Sequence, residues 1–339
     1  MSSAVLHDGS LVVPVIDISS FRMPYADAAA RERVVRQVDR AARTVGFMQI
    51  TGHGIPATAL EAFTSATDAF FALDRETKER YRCPSAVGSG YTPPKDDLFE
   101  SINVGATPPA PRPQEGPPQG PQEGPPQGPQ QGPSQGLPQG SPDAYPPDVC
   151  PVPEVPGFEA AVTAWFEAAG RVARTMVRIF GAALGGREDC LAGVTDHSAD
   201  VLRVNNYRLS AGPDGTRPAG RLGMGAHTDR GIVTVLWADR TPGLEIHGAD
   251  GRWHPVRPAG SALLVNLGDA IARLTNGEWI SATHRVAAPR IDGAGVPRRS
   301  AAYFHDGNVS GYPAAKLAGS RAWQLSSCVT REAAPLGTV

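Results

Sequence analysis

The sequence has few of the features that would mark it as a nucleic-acid or membrane protein. Aromatic residues make up only 6% of the 339 residues, and the charges nearly cancel, with 32 basic and 34 acidic residues and a formal net charge of −2. A chain without a strong net field has no general attraction for nucleic acid or for an acidic membrane surface. We therefore expect a small-molecule substrate as the partner, with no nucleic acid and no membrane.

Cysteine is scarce, and signals for export are missing. Cys83, Cys150, Cys190 and Cys328 are widely spaced, so they form neither a C-x-x-C motif nor a dense disulfide framework. The N-terminus lacks the basic start and long apolar run of a signal peptide, and no uncharged run reaches the length of a membrane span. These absences favour a cytoplasmic protein. A monomer is favoured, although the sequence leaves the oligomeric state open.

The composition changes abruptly between residues 106 and 147. PQEGPPQG at 113–120 repeats at 121–128 and more loosely at 129–136. Glycine falls at every fourth position, which excludes a collagen triple helix because that structure needs glycine at every third. The repeats consist almost entirely of Pro, Gln and Gly and offer no large apolar side chain to bury, so we expect the tract to be disordered. We interpret it as an insert that interrupts one structural domain.

Helical patterns flank this insert. Asp27 is placed to cap a helix that runs to about Thr44 and ends at Gly46. Residues 57–81 show helical periodicity, and residues 158–184 predict one long helix stopped by Gly185 and Gly186. From Val201 onward, short strands separated by Gly, Asp and Pro turns predict a double-sheet jelly roll.

The predicted organisation has five parts within one structural domain. They are an N-terminal helix and strand region at 1–105, the insert at 106–147, bracing helices at 148–200, a jelly-roll core at 201–310 and a C-terminal tail at 311–339.

Three residues in the predicted core form a candidate iron site. His227 and Asp229 are two positions apart at the head of an apolar, β-branched segment, where a strand would point both side chains to one face. His284, in another strand-like segment, could complete the site from a facing strand. Two imidazoles and one carboxylate leave three metal positions open, as in non-heme Fe(II) oxygenases. A His-x-Asp pair alone also recurs by chance, so the prediction depends on its companions.

Two further pairs with the same spacing accompany this triad. Arg298 and Ser300 could bind the far carboxylate of a small acid, and Asn205 and Tyr207 could hold its other end. Arg298 follows His284 closely enough for one turn to join their strands, which predicts neighbouring strands of one sheet or barrel. The alternative for Arg298 is a surface charge, since the sequence before it is rich in Gly and Pro.

The other polar residues of this region are expected to have no role in the site. We expect His247, His254 and His305 to be solvated. Asn266 and Asp269 are interpreted as parts of a structural turn.

Several segments, in order and spacing, carry a resemblance to a known family. HTDRGIVTVL, PGLEIHGADGRWHPVRP, LLVNLGDAIARLTNGEWISATHRV and RRSAAYF resemble the isopenicillin N synthase-like family of Fe(II)- and 2-oxoglutarate-dependent oxygenases. RTVGFMQITGHGIP, GYTPP and DLFESINVG resemble the N-terminal part of the same family. The resemblance covers most of the chain except the insert.

The resemblance implies a fold, a site and a reaction. The fold is mainly β with flanking helices (α+β), in which N-terminal helices and one long central helix brace a double-stranded β-helix, or jelly roll. The implied cofactors are Fe(II), 2-oxoglutarate and O2. The implied iron ligands and catalytic residues are His227, Asp229 and His284, with Arg298, Ser300, Asn205 and Tyr207 binding the co-substrate.

The implied reaction is oxidation, foremost hydroxylation, of an unactivated C–H bond of a small molecule, with release of succinate and CO2. Secondary metabolism, including antibiotic biosynthesis, is the expected setting. Two alternatives stay open at this point. One is an Fe(II) oxidase of the same family that catalyses cyclisation or desaturation without 2-oxoglutarate. The other is a jelly-roll binding module without catalytic activity.

Overall fold

A computed structural model describes residues 11–83, 89–94, 99–105, 147–207, 222–287 and 297–308. The predicted disordered insert, apart from Pro147, and the predicted C-terminal tail lie outside the described residues. None of the helices within these ranges combines the length and the apolar character that crossing a membrane requires.

Helix α1, Ala28–Thr44, begins and ends where the sequence predicts. The Asp27 carboxylate accepts a hydrogen bond from the Ala29 backbone N–H at 3.2 Å, which satisfies one of the free donors of the first turn. Gly46 follows the helix with a φ of 71°, a left-handed conformation that glycine adopts without steric cost. The local sequence therefore accounts for both ends of α1.

The predicted helical stretch at 57–81 is two helices, α2, Ala57–Ala72, and α3, Arg75–Glu79. The break occurs because Asp74 caps a new helix. Its carboxylate accepts hydrogen bonds from the backbone N–H of Thr77 at 2.9 Å and from the Thr77 hydroxyl at 2.7 Å. The prediction of continuous helical periodicity missed this cap.

Helix α4, Phe158–Ala183, is the long central helix that the sequence predicts. Gly185, with a φ of 78°, follows its end. The helix buries an apolar face in which Trp165 stacks on Phe63 of α2 at a centroid distance of 4.7 Å. Each large apolar side chain buried in this way contributes about 1.5–3 kcal/mol. The helix therefore braces the sheet behind the site.

The strands form two sheets. The order in the eight-stranded sheet is β1 (Val15–Asp17), β2 (Phe47–Thr51), β10 (Leu263–Leu267), β7 (Val233–Ala238), β12 (Arg298–His305), β5 (Val201–Tyr207), β4 (Phe99–Gly105) and β3 (Gly90–Thr92). The order in the four-stranded sheet is β6 (Leu222–His227), β11 (His284–Ala287), β8 (Leu244–His247) and β9 (Trp253–Pro255). A short helix, α5 (Asp269–Leu274), follows β10.

The large sheet lies between a layer of helices and the small sheet. Its helix-facing side chains, such as Leu202 and Val204 of β5, join the main hydrophobic core with residues of α1, α2 and α4. A second cluster, which includes Phe47, Leu264 and Ile246, packs between the two sheets. The predicted α+β architecture, a mainly β core braced by N-terminal helices and one central helix, is confirmed.

One prediction of strand placement is wrong in part. His284 lies on β11 of the small sheet and Arg298 lies on β12 of the large sheet, so they are not on neighbouring strands of one sheet. β11 and β12 follow each other in the chain but belong to different sheets. The two residues therefore approach a common space from opposite walls.

A buried ion pair ties α3 to the large sheet. The Lys78 ammonium lies 2.9 Å from the Glu100 carboxylate, and both side chains are 1% exposed. The Tyr91 hydroxyl and the Asn206 amide also donate to this carboxylate, at 2.6 and 2.7 Å, and Lys78 donates to the Phe71 carbonyl. Removing one member of such a pair leaves an uncompensated buried charge.

We predict that Lys78→Met lowers the free energy of unfolding by about 3–5 kcal/mol, because Glu100 loses its cation. Urea unfolding followed by circular dichroism measures the change. Arg75→Met in the same helix is the matched control, since Arg75 is 87% exposed and 3.8 Å from Glu79, and it should change stability by less than about 0.5 kcal/mol. Equal stability of the two variants would contradict the prediction.

Candidate active site

The pairing of β6 with β11 brings two predicted iron ligands together. His284 is the register partner of His227 in this antiparallel pair, and their ring centroids are 4.3 Å apart. The two histidines therefore lie side by side on adjacent strands of the small sheet. The His284 ring also packs edge-on against Phe47 of the large sheet at 5.3 Å.

Asp229 lies beside the two histidines, but it is not positioned by a strand as predicted. His227 is the last residue of β6, and Asp229 lies in the connection to β7, so a shared strand face is the wrong explanation. The backbone N–H of Asp269, at the start of α5, donates to the Asp229 carbonyl at 2.7 Å. Close packing also holds the connection, because a Cβ on Gly268 would come within 2.1 Å of the Gly231 carbonyl oxygen.

Each histidine is oriented by a local backbone contact. The Nδ1 of His227 is 2.8 Å from the Gly225 carbonyl, and the Nδ1 of His284 is 3.0 Å from the Ala282 carbonyl. A carbonyl oxygen can only accept, so Nδ1 carries the proton in each neutral ring. The Nε2 lone pairs are left to bind a metal.

The two oxygens of the Asp229 carboxylate have different contacts. Its Oδ2 accepts hydrogen bonds from the Thr234 hydroxyl at 2.5 Å and from the Asn266 amide at 2.7 Å. Its Oδ1 faces Nε2 of His227 at 3.8 Å and Nε2 of His284 at 3.9 Å. Oδ1 is therefore positioned with the two imidazoles.

Thr234 and Asn266 are site residues that the sequence analysis missed. Thr234 lies on β7, and Asn266, which was assigned to a structural turn, is buried within β10. A signal was present, since each is a polar residue inside an apolar strand, where an unpaired polar group would be costly.

The three side chains could hold one metal ion. A nitrogen or oxygen from each of His227, Asp229 and His284 lies within 4.8 Å of the others. Neutral imidazoles and a carboxylate suit Fe(II), and a three-ligand set on one side leaves positions open for co-substrate and O2. The donor set therefore fits the iron that the sequence predicts.

Burial prepares His284 for this role. Desolvation lowers the pKa of the His284 imidazole, His227 lowers it further, and the Asp229 carboxylate opposes the shift. The neutral, metal-binding form is therefore present at lower pH than for an exposed histidine.

The β5–β12 ladder places the other four predicted residues. Arg298 is in register with Tyr207, and Ser300 is in register with Asn205. All four are buried, with exposures of 1–4%. The Arg298 guanidinium lies 4.8 Å from the centre of the Tyr207 ring, and burial raises the pKa of the Tyr207 hydroxyl, against the effect of the nearby cation.

Arg298 is a buried cation that forms no ion pair with any residue the structure describes. Its Nε and Nη1 have no hydrogen-bond partner among the described residues, and neither has the amide oxygen of Asn205. A buried, unpaired charge is costly, so the arrangement is suited to an anion that enters from outside. The distal carboxylate of 2-oxoglutarate fits this requirement.

One cavity of about 670 Å³ joins the two halves of the site. Its lining includes the metal-binding candidates and the four ladder residues, together with apolar side chains of both sheets. The volume is in the range of pockets that hold small molecules. The sequence-predicted residues therefore all face one space.

Two histidines outside the triad differ from expectation. His247 is exposed, but His254 and His305 are buried. His254 Nε2 lies 2.9 Å from the Asp250 carboxylate, and His305 Nδ1 lies 2.8 Å from the Asp200 carboxylate. The expectation of solvated residues is wrong for these two because an acidic partner lies beside each.

Known protein families match both parts of the chain. Residues 13–131 match the non-haem dioxygenase in morphine synthesis N-terminal family, and residues 199–307 match the 2OG-Fe(II) oxygenase superfamily. The segment that holds the cluster and the ladder thus lies in the second match.

Proteins with known names and structures match this chain over most of its length. The 2-oxoglutarate-dependent dioxygenase citB of Monascus ruber is 30% identical over 303 residues, which cover 88% of this chain and 86% of that protein. The 2-oxoglutarate-dependent dioxygenase tropC of Talaromyces stipitatus is 28% identical, over 89% of this chain and 88% of that protein. The solved structure of full-length Neurospora crassa T7H with alpha-KG and 5-formyluracil shares the fold, with a TM-score of 0.70 and 24% identity over 91% of this chain and 88% of that one.

The fold and the His-Asp-His cluster define a non-heme iron oxygenase with a double-stranded β-helix. The chain belongs to the 2OG-Fe(II) oxygenase superfamily, in the isopenicillin N synthase-like family. It is a 2-oxoglutarate-dependent dioxygenase that uses Fe(II) and 2-oxoglutarate. The expectation of this enzyme class is confirmed.

We predict that the His284 ring of the metal-free protein titrates below the ordinary histidine pKa of 6.5. The Asp229→Asn variant should lower this pKa further, because Asp229 is the negative charge that favours the protonated ring. NMR of the imidazole Cε1 proton measures both values. A midpoint above 6.5 in the unmodified protein would show that burial does not dominate, and a rise in the variant would show that Asp229 does not favour the protonated ring.

Proposed function

We propose that the protein oxidises, most often by hydroxylation, an unactivated C–H bond of a small molecule, with release of succinate and CO2. The observation that carries this proposal is the Arg298 guanidinium, whose Nε and Nη1 have no partner among the described residues and which faces the same cavity as the His-Asp-His cluster. A cation for the co-substrate and a ligand set for iron thus share one space.

We infer that His227, Asp229 and His284 are the iron ligands. The carbonyls of Gly225 and Ala282 fix the two imidazoles with the proton on Nδ1. The unprotonated Nε2 of each neutral ring is then free to bind the metal. When bound, Fe(II) and 2-oxoglutarate supply the oxygen-activating chemistry. The protein keeps the three donor atoms in place.

We infer that the ladder residues orient 2-oxoglutarate. The Arg298 guanidinium and the Ser300 hydroxyl would bind the distal carboxylate at the closed, buried end of the cavity. Tyr207 lies under the guanidinium, and the free amide oxygen of Asn205 faces the same space. Holding the co-substrate at both ends sets its position relative to the ligands.

The remaining cavity would hold the substrate. Leu236, Leu244 and Val286 are among the apolar residues that line it, so the walls exclude water and position a substrate by contact. A small organic molecule, rather than a polymer, is the proposed substrate. Its reactive C–H bond would lie beside the iron ligands.

The proposed setting is secondary metabolism, including antibiotic biosynthesis, in the cytoplasm. The similarity to dioxygenases such as citB and tropC and the widely spaced cysteines support this setting. One chain contributes every proposed ligand, which supports a monomer. We also propose one catalytic domain, with the segment at 106–147 as an insert within it.

We predict that Asp229→Ala abolishes iron-dependent succinate formation, by at least about 1,000-fold, because it removes an iron ligand and leaves the polar groups of Thr234 and Asn266 unpaired. Succinate is measured during a screen of candidate substrates, and circular dichroism checks folding. Asp189→Ala is the control, since Asp189 forms an exposed pair with Arg187. Full turnover by the Asp229 variant would refute the proposed ligand set.

We predict that Arg298→Leu raises the KM for 2-oxoglutarate by about 100-fold or more, because the distal carboxylate loses its cation. Iron affinity should stay within about threefold, since Arg298 does not contact the ligand set. Initial rates of succinate formation and anaerobic Fe(II) titration measure the two quantities.

Arg299→Leu is the matched control. Arg299 lies next to Arg298 but points to the other face of the sheet, where it pairs with Asp68 at 2.8 Å and contacts Asn206. Its KM for 2-oxoglutarate should change by less than about fivefold. Equal KM increases in the two variants would indicate a general structural effect in place of carboxylate binding.

A further inference from the structure

A second arginine lines the cavity beside the proposed co-substrate residues. Arg203 precedes Asn205 by two positions on β5, so Arg203, Asn205 and Tyr207 project from the same face. Arg203 belongs neither to the proposed iron ligands nor to the residues proposed to bind 2-oxoglutarate. It lies two residues before Asn205 along the strand, on the side away from Tyr207.

A residue of the neighbouring strand β4 accepts a hydrogen bond from one nitrogen of the Arg203 guanidinium. Its Nε donates to the amide oxygen of Asn103 on β4 at 2.9 Å, and the Asn103 amide nitrogen is within 3.3 Å of the Thr92 hydroxyl. This contact orients the guanidinium, and neither of its two Nη groups has a hydrogen-bond partner among the residues the structure describes. No carboxylate among the described residues forms an ion pair with Arg203.

The surroundings of Arg203 leave space for a ligand. Its register partner on β12 is Ala302, whose side chain is a single methyl group. Val201 and Phe304, which are the next inward-facing pair along the same ladder, line the cavity with apolar surface. Arg203 is therefore a half-buried cation set in a mainly apolar wall.

The two carboxylates that line the cavity, Asp229 and Asp306, form no ion pair with Arg203. Asp306 lies four positions beyond Ala302 on the β12 side, about 13 Å along an extended chain. Burial and the nearby Asp200 and Asp229 raise the pKa of Asp306 to about 6, and the arginine that opposes this shift is Arg230. Asp306 and Arg230 thus form a separate charged region.

We propose that Arg203 binds a carboxylate of the substrate, so that the enzyme acts on organic acids with an apolar body. This inference rests on the proposed function, because a substrate carboxylate needs Arg203 only when 2-oxoglutarate already occupies Arg298. With 2-oxoglutarate at Arg298, Arg203 is the free cation on the inner face of the β5–β12 ladder. A substrate carboxylate there would pair with the Nη groups, and its apolar body would contact Leu236 and Phe304.

The experiment compares acids with their uncharged amides. Octanoate, 3-phenylpropanoate and 4-methylbenzoate, each paired with its primary amide, are titrated calorimetrically under nitrogen into the enzyme loaded with Fe(II) and saturating 2-oxoglutarate. For at least one pair, the acid should bind the wild-type enzyme about 10- to 100-fold more tightly than the amide. Arg203→Gln should reduce this preference to less than threefold, and Arg203→Lys should retain a preference for the acid.

Separate titrations with 2-oxoglutarate distinguish the two proposals. The affinity of the Arg203→Gln variant for 2-oxoglutarate should stay within about threefold of wild type, because Arg298 is unchanged. Failure of the wild-type enzyme to bind 2-oxoglutarate would refute the proposed function. Normal 2-oxoglutarate binding without any preference for acids, or without measurable acid binding, would refute the role of Arg203 alone. An acid preference that survives in Arg203→Gln would also refute it, and Arg203→Met provides a second neutral variant if the first does not fold.

Discussion

The site depends on the two different sets of contacts made by the two oxygens of the Asp229 carboxylate. One oxygen accepts hydrogen bonds from Thr234 and Asn266, and the other faces the two imidazoles. The supporting groups lie on β7 and β10 of the large sheet, whereas the histidines lie on β6 and β11 of the small sheet. Asp229 therefore joins the two walls of the jelly roll where the metal is proposed to bind, and the metal site requires the packing of both sheets.

Side chains alternate along β5 and β12, so that one face of these strands packs in the hydrophobic core and the other lines the site. Leu202 and Val204 face the helices, whereas the residues that alternate with them, Val201, Arg203 and Asn205, face the cavity. A shift of register by one residue would exchange these faces, so the hydrophobic core enforces the orientation of the polar residues. The two faces treat buried charge differently. Glu100 and Lys78 neutralise each other on the helix side, whereas Arg298 on the cavity side has unpaired donors ready for a ligand.

Much of this arrangement could be predicted from local pattern. The Asp27 cap, the extent of α4 and the inward pairs on β5 and β12 follow from spacing alone, because helix caps and strand alternation are local rules. The break at Asp74 was missed because the short helix after it, RETKE, contains no apolar residue that would mark it as a separate helix. Asn266 was assigned to a turn because its partner, Asp229, is distant in sequence.

The sequence by itself determined which residues are available for chemistry and which segments are helix or strand, since both depend on residue type and short-range spacing. Only the tertiary structure decided how those residues meet. It brought His284 beside His227 through the pairing of β11 with β6, and it turned Asp229 into the site from a connection held by α5. It also buried His254 and His305 against acidic partners. Such contacts depend on packing between segments far apart in the chain, which no local pattern encodes.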